Sequence, residues 1–187
     1  MKLLSRRRWS MLLAALLLAP VMALADQDDS RLDALFLQLK EAETQAAALP
    51  VEADIWAVWY EHADGAVQSL LAQGIAQINA DDLRAALATF DQLVAQAPDF
   101  AEGWNKRATV HYLLGNQEAS EADIEATLAL EPFHFGALSG LGLVCIAQGE
   151  YFRARSAFLS ALEVYPAMLS VQQNLEALER MLGERAI

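Results

Sequence analysis

The amino-acid sequence predicts an all-α protein, an α-solenoid in which short helical hairpins stack on one another. Its clearest feature is a period, because Pro98, Pro132 and Pro166 follow one another at intervals of 34 residues. Between the prolines, apolar side chains recur every three or four residues, as expected of helices with one buried face. Stacked hairpins of this length form extended concave surfaces, so the sequence predicts a binding protein.

Residues 1–25 predict a signal peptide for export. They begin with four basic residues, continue with an apolar run at 11–18 and end with small residues at Ala23 and Ala25, which is the pattern of a cleavable signal. We expect cleavage between Ala25 and Asp26, which would place the mature protein in the periplasm. An uncleaved membrane anchor and an organelle transit peptide stay open as alternatives, and so does the choice between the Sec and twin-arginine export routes.

Residues 26–66 predict a degenerate helical hairpin that caps the array at its N-terminal end. The first helix is expected to end near Ala48, and Pro50 is suited to open the second. Trp56 and Trp59 lie three residues apart, so they share nearly the same face of the second helix. Packing is the favoured interpretation of this pair over a ligand site, because large aromatic side chains dominate protein cores.

Three units of equal length follow, and together they span 67–168: residues 67–100, 101–134 and 135–168. In the third unit, Gly142 removes a side chain where the second helix must approach closely, and Phe158 lies on the inner face of that second helix. Gly149 suits the C-terminal cap between the two helices. The first unit places Gly74 and Phe90 in the same register as Gly142 and Phe158.

The small, aromatic and proline positions of these units resemble the motif of tetratricopeptide repeat proteins. The resemblance implies three stacked hairpins and a concave groove lined by the exposed face of each unit's first helix. It assigns twelve residues to the groove, four from each unit in turn: Leu71, Ile75, Ile78 and Asn79; Asn105, Thr109, Tyr112 and Leu113; Ser139, Leu143, Ile146 and Ala147.

The predicted groove is largely apolar, with a few amides and one tyrosine. Some tetratricopeptide proteins grip the C-terminal carboxylate of a chaperone with Lys, Arg and Asn side chains in this groove. Here four of those positions hold residues without charge, so the resemblance does not extend to that clamp: Leu71, Ile75, Gly136 and Gly140. An apolar groove suits an amphipathic helix or an extended peptide with aliphatic side chains.

Residues 169–187 predict a C-terminal capping helix. Leu175, Leu178 and Leu182 share one face, and polar side chains occupy the other faces. A terminal helix of this kind is needed because an uncovered last repeat would expose its apolar side to water.

The chain is acidic, with a formal charge of −12 at pH 7. Four of its 13 basic residues lie in residues 1–25, so cleavage would lower the charge to about −16. This charge argues against nucleic acid and anionic membrane surfaces as partners. A basic or neutral protein partner is compatible with it, and so is a simple role in solubility.

The residues that catalysis or metal binding requires are sparse in this sequence. No two of His62, His111 and His134 have the four-residue spacing that places metal ligands on one helix face, and no glycine-rich phosphate loop occurs. Cys145 is the only cysteine, and its apolar neighbours predict a small buried side chain. The sequence therefore predicts no catalytic, cofactor-binding or metal site, and a protein that is not an enzyme.

Two functional hypotheses follow. The first is an exported adaptor or scaffold that holds a peptide or helix of a partner protein in the groove. The second is a structural subunit whose groove is filled by its own N-terminal helix, which contains Leu32 and Leu39, or by a second copy of the chain.

Overall fold

A computed structural model of the chain describes residues 29–185, and the predicted signal peptide lies outside these residues. The described part contains nine α-helices and no strand. In chain order the helices are α1 (Ser30–Glu41), α2 (Gln45–Tyr60), α3 (Gly65–Asn79), α4 (Leu83–Gln96), α5 (Ala101–Leu113), α6 (Gln117–Leu130), α7 (Phe135–Gln148), α8 (Tyr151–Val164) and α9 (Leu169–Arg185). The prediction of an all-α solenoid is confirmed.

The three repeats are the hairpins α3–α4, α5–α6 and α7–α8, each packed against the next. The residue before each proline ends its helix in the same way. Ala97, Glu131 and Tyr165 all have φ near −130° (−132°, −131° and −127°), and each N–H donates to the carbonyl four residues earlier. The three prolines therefore occupy equivalent places, and the 34-residue period is a structural repeat.

Glycine and phenylalanine pairs allow the two helices of a repeat to approach closely. A Cβ atom added to Gly142 would lie 2.2 Å from the ring of Phe158, and one added to Gly74 would lie 2.4 Å from the ring of Phe90. Both distances are far below van der Waals contact, so the helices can adopt this spacing only because the side chains are absent.

The turns inside the repeats use a left-handed residue at equivalent positions. Gly115 and Gly149 both have φ of 80°, and Asp81 has φ of 58°. Glycine takes this conformation without a steric cost, and aspartate tolerates it better than most residues. Helices α3, α5 and α7 therefore end within one residue of the same point of each unit.

The helices of the N-terminal hairpin have different bounds from those predicted. Helix α1 ends at Glu41, and Thr44 caps α2, because its hydroxyl accepts a hydrogen bond from the backbone N–H of Ala47 at 3.2 Å. Pro50 lies inside α2 and does not open it. The expected break between Ala48 and Pro50 was wrong, since the threonine cap sets the start of the helix.

The N-terminal hairpin lies along the turns between repeats, so the expected cap at the N-terminal end of the array was also wrong. Glu52 accepts a hydrogen bond from the hydroxyl of Tyr165 at 3.0 Å, across 113 residues of sequence. Trp59 stacks on His134 with 4.0 Å between ring centroids. Helix α2 takes this position because its aromatic face packs with Phe135 and Tyr165 at the turns.

Helix α9 packs against α8 and ends the array. Val171 and Leu178 are buried in the same cluster as Phe158, and Arg155 of α8 pairs with Glu179. Within residues 29–185, no helix combines the length and the apolar character needed to cross a bilayer.

Candidate partner-binding groove

Helices α3, α5 and α7, the first helices of the repeats, lie side by side. A cavity of about 200 Å³ opens between α5 and α7, and we call it the α5–α7 cavity. Its lining is Asn105, Ala108, Thr109, Tyr112, Ser120, Ile124, Gly136, Ser139, Gly140, Leu143 and Val144. Five of the twelve residues predicted for the groove therefore meet in one cavity.

Two glycines of α7 line the cavity, and their missing side chains make room for different neighbours. A Cβ atom on Gly140 would reach ordinary contact distance, 3.6 Å, from Ile124, and one on Gly136 would lie 2.9 Å from the ring of Trp56. A larger side chain at Gly140 would contact Ile124, which lines the cavity, whereas the absent side chain of Gly136 makes room for the ring of Trp56. Two of the family's clamp positions therefore hold glycines that the local packing uses.

The walls of the α5–α7 cavity are neutral. Thr109 is exposed and its hydroxyl donates to the carbonyl of Asn105 at 3.0 Å, while Tyr112, Ser139 and Leu143 are half-buried. The cavity thus offers hydroxyl groups beside aliphatic side chains. That combination can hold an apolar side chain and hydrogen-bond the backbone that carries it.

The other predicted groove residues have mixed surroundings. Leu71 is buried in the core of the first repeat, and Ile75 and Ile78 pack against the same core. Ile146 packs against the core of the last repeat. Asn79, Leu113 and Ala147 are exposed at equivalent positions of the three helices.

A buried charged centre lies beside the groove, and the sequence reasoning missed it. Glu102 is fully buried, pairs with the ammonium group of Lys106 at 2.8 Å, and accepts a hydrogen bond from the side-chain amide of Asn105 at 3.0 Å. The Nε2 atom of His134 lies 3.0 Å from the same carboxylate. The N–H of Ala137 donates to Nδ1 of His134, so Nε2 carries the hydrogen and donates to Glu102.

The electrostatics of this centre favour an ionised carboxylate. Burial raises the pKa of Glu102, but the hydrogen bond from His134 and the positive charge of Lys106 together outweigh burial and hold the pKa below its ordinary value. One signal in the sequence pointed to this centre. His134 occupies the position held one repeat earlier by the buried Phe100, so a polar residue replaces an apolar one there.

Aromatic rings of α2 cover the charged centre. The Nζ atom of Lys106 lies 5.0 Å from the ring centroid of Trp56 and 5.2 Å from that of Tyr60, which are cation–π distances. Trp59 is buried and stacked on His134. The tryptophan pair is therefore part of the packing, as the favoured interpretation held.

The N-terminal helix lies away from the α5–α7 cavity. Leu32 and Phe36 of α1 face a second cavity, of about 580 Å³, together with Phe133 and Val164. None of the residues that line the α5–α7 cavity comes from α1 or α2. Within residues 29–185, the helix containing Leu32 and Leu39 thus does not fill the predicted groove.

Comparison with known proteins identifies the repeats. The tetratricopeptide repeat family model matches residues 71–124 and 114–168. This chain belongs to the tetratricopeptide repeat family. It is 35% identical over 156 residues to a TPR repeat-containing protein of Rhizobium etli, and the match covers 83% of this chain and 76% of that protein.

Solved tetratricopeptide structures share the fold at low sequence identity. The Sgt2 TPR domain from Aspergillus fumigatus superposes with a TM-score of 0.63 at 22% identity, covering 66% of this chain and 83% of that one. The first TPR of Spaghetti (RPAP3), bound to an HSP90 peptide, gives 0.61 at 18%, covering 63% and 93%. The Yersinia enterocolitica secretion chaperone SycD, in complex with a peptide of the translocator YopD, gives 0.60 at 13%, covering 64% and 96%.

Proposed function

We propose that the protein is a non-catalytic adaptor of the cell envelope that holds a peptide or helix of a partner protein in its groove. The observation that carries this proposal is the α5–α7 cavity, which is lined by Tyr112 and Leu143 and which no described segment of the chain occupies. Tetratricopeptide neighbours that were solved with bound peptides support a role in holding a protein segment.

The chemistry of the cavity restricts the partner. An aliphatic side chain fits beside Leu143 and Val144, and the hydroxyls of Thr109 and Ser139 can bond the partner's backbone. The formal charge of −12 favours a neutral or basic segment. Uncharged residues at the clamp positions disfavour acidic C-terminal peptides such as the SRMEEVD segment bound by the RPAP3 domain.

Export to the envelope is the part of the proposal that rests on the sequence of residues 1–25. Intact mass of the protein purified from its native envelope fraction tests it. We expect a chain that begins at Asp26. A chain that retains residues 1–25 would favour a membrane anchor, and one recovered only from the cytoplasm would contradict export.

Binding by the groove is tested with charge substitutions on its wall. Thr109→Asp and Leu143→Asp place a carboxylate in the α5–α7 cavity, and Leu159→Asp adds the same charge on the outer surface of α8. A peptide selected by display on the wild-type protein supplies the ligand for calorimetry. We expect both cavity variants to weaken its binding at least about tenfold, since a desolvated charge opposes an apolar contact.

The matched control decides how that result is interpreted. Leu159→Asp is expected to bind the selected peptide like the wild-type protein, with far-ultraviolet circular dichroism unchanged in all three variants. Equal affinities in the cavity variants and the control would contradict binding in the groove.

A structural subunit is a second candidate, favoured by apolar side chains exposed outside the groove. Phe152 is 78% exposed and Phe133 is 54% exposed, and large apolar side chains in such positions often mark interfaces. Light scattering of the purified protein tests this candidate, which requires a stable oligomer. A monomer at high concentration would count against it.

Catalysis is not part of the proposal. Within residues 29–185, no group of three or more His, Cys, Asp and Glu side chains is placed to hold a metal ion. One structural neighbour, the O-GlcNAc transferase of Thermobaculum terrenum, is an enzyme, but this chain spans only 23% of it. An array of this fold can therefore form part of an enzyme chain. For the helical array of this chain by itself, we propose a binding role.

A further inference from the structure

Helix α2 and the loop that follows it contact the turns that come after α4, α6 and α8. In the middle of α2, Glu52 accepts a hydrogen bond from the hydroxyl of Tyr165 at the end of the third repeat. Near its C-terminal end, Trp56 and Trp59 contact His134 before α7. Beyond its end, the ring of His62 lies 5.1 Å from that of Phe100, before α5. One helix and the loop after it thus touch the end of each of the three repeats.

These contacts are unusual for a solenoid because they skip neighbours. In a simple repeat array each unit contacts only the next, so small changes of angle between units accumulate along the chain. A hairpin that is anchored at all three turns, by α2 and by the loop after it, removes that freedom. It constrains units that do not otherwise touch.

The buried carboxylate of Glu102 fixes where α2 sits along this edge. It holds Lys106 of α5 and His134 of the next turn in place, and Trp56 and Trp59 of α2 pack on those two residues. A shift of α2 by one helical turn would uncover the carboxylate, its lysine and its histidine. A buried charge that loses its partners is strongly unfavourable, so a single docking position is selected.

We propose that the N-terminal hairpin is a splint, with Trp59 and Glu102 as positioning residues, which sets the angles between the three repeats and so the width of the α5–α7 cavity. This role of the hairpin is independent of what the groove binds. It assigns residues 29–62 a role in shaping the array, in addition to their share of its core.

Spin labels measure the shape of the array directly. Asn79 of α3 and Ala147 of α7 are exposed, occupy equivalent positions two repeats apart, and can be labelled as cysteines in a Cys145→Ala background. Their separation reports the curvature over the whole groove. We expect one narrow distance distribution in the otherwise unchanged protein, as a splinted array requires.

Variants of the hairpin then test the splint. Trp59→Ala removes the ring that stacks on His134, and we expect the distance distribution to become about twofold wider and amide exchange in α1 and α2 to accelerate about tenfold. Trp59→Phe keeps a ring for stacking and is expected to restore most of the narrow distribution. Leu49→Ala, at an exposed residue of α2, is the matched control and is expected to change neither measurement.

The splint is tested by comparing amide exchange in the hairpin with the distance distribution in the same variant. If Trp59→Ala frees the hairpin by amide exchange while the distribution between Asn79 and Ala147 stays narrow, the hairpin only rests on the array and the splint is wrong. Should Trp59→Ala fail to fold, Glu52→Ala serves instead, because it removes the contact with Tyr165 and, within α2, the hydrogen bond from Trp56, and leaves the stacking of Trp59 in place. We expect a smaller change in the same direction, and no change would equally overturn the proposal.

Discussion

At the scale of single residues, the carboxylate of Glu102 is the common partner of the polar side chains that surround it. Its carboxylate is fully buried, yet two hydrogen bonds and one ion pair reach it from Asn105, His134 and Lys106. A buried charge of this kind is tolerated only while its partners are in place. Replacing it therefore disturbs two repeats and the hairpin together.

Glu102→Gln keeps the size of the side chain and removes its charge. We expect the free energy of unfolding to fall by about 3 kcal/mol, because Lys106 and His134 lose their common partner in a desolvated site. Urea denaturation followed by circular dichroism measures this change. Glu125→Gln, on the exposed face of α6, is the matched control and is expected to stay within about 0.5 kcal/mol of the wild-type value.

The same carboxylate makes the difference between wild type and Glu102→Gln depend on pH. The pKa of Glu102 is held below its ordinary value in the folded protein, so at low pH the unfolded chain takes up a proton first. Its contribution to stability is present above the ordinary pKa of 4.5 and is lost as the pH falls through the folded value. The stability difference between the two proteins should shrink as the pH falls from above 4.5 through the lower pKa of the folded protein, and a constant difference would contradict an ionised Glu102.

At the scale of helices, the spacing within a repeat depends on paired small and aromatic residues. Gly142 faces Phe158 across the α7–α8 hairpin, and Gly74 faces Phe90 across α3–α4. A methyl group at either glycine would meet ring atoms that are themselves fully buried. The hairpins can therefore accept it only by moving apart.

Gly142→Ala is expected to lower the free energy of unfolding by about 1–3 kcal/mol, because overpacking a closed core forces the helices apart. Gly183→Ala in α9 is the control, since no atom lies within 4 Å of its added methyl group. That control is expected to be neutral or stabilising by up to about 1 kcal/mol, as alanine favours the helix. Thermal unfolding distinguishes them, and equal midpoints would mean that the close approach does not control the packing.

The helices of the repeats could be predicted because their signals are local and recur at a fixed period. The prolines, the glycine turns and the paired Gly142 and Phe158 all lie within one unit. The position of α2 could not be predicted, since its contacts join residues as distant as Glu52 and Tyr165. No periodic pattern in residues 26–66 encodes that docking.

The groove could be predicted only in part, for a related reason. Resemblance to the family identified the face of each first helix, and five of its residues line the α5–α7 cavity. It could not tell that Leu71 is buried in the first repeat, because that depends on the packing of neighbouring helices. The charged centre at Glu102 was missed because its parts come from α5, the next turn and α2.

At the scale of the whole molecule, the hairpin packs on the turns between repeats and contributes no residue to the lining of the α5–α7 cavity. Helix α2 covers the charged centre and leaves the α5–α7 cavity unoccupied. The hairpin fixes one edge of the array, and the groove is unoccupied. A partner could therefore bind in the groove without any part of this chain unfolding. Preorganisation of this kind lowers the entropic cost of binding.

The most direct test of binding in the groove is crosslinking in the native cell. A photoreactive amino acid is placed at Tyr112 or Leu143 in the α5–α7 cavity, and at Leu159 on the outer surface of α8 as the control. We expect both cavity positions to give the same adduct, to a partner protein identified by mass spectrometry, and the control to give none. Adducts from Leu159 alone, or adducts only between copies of this chain, would contradict an adaptor that grips a partner in its groove.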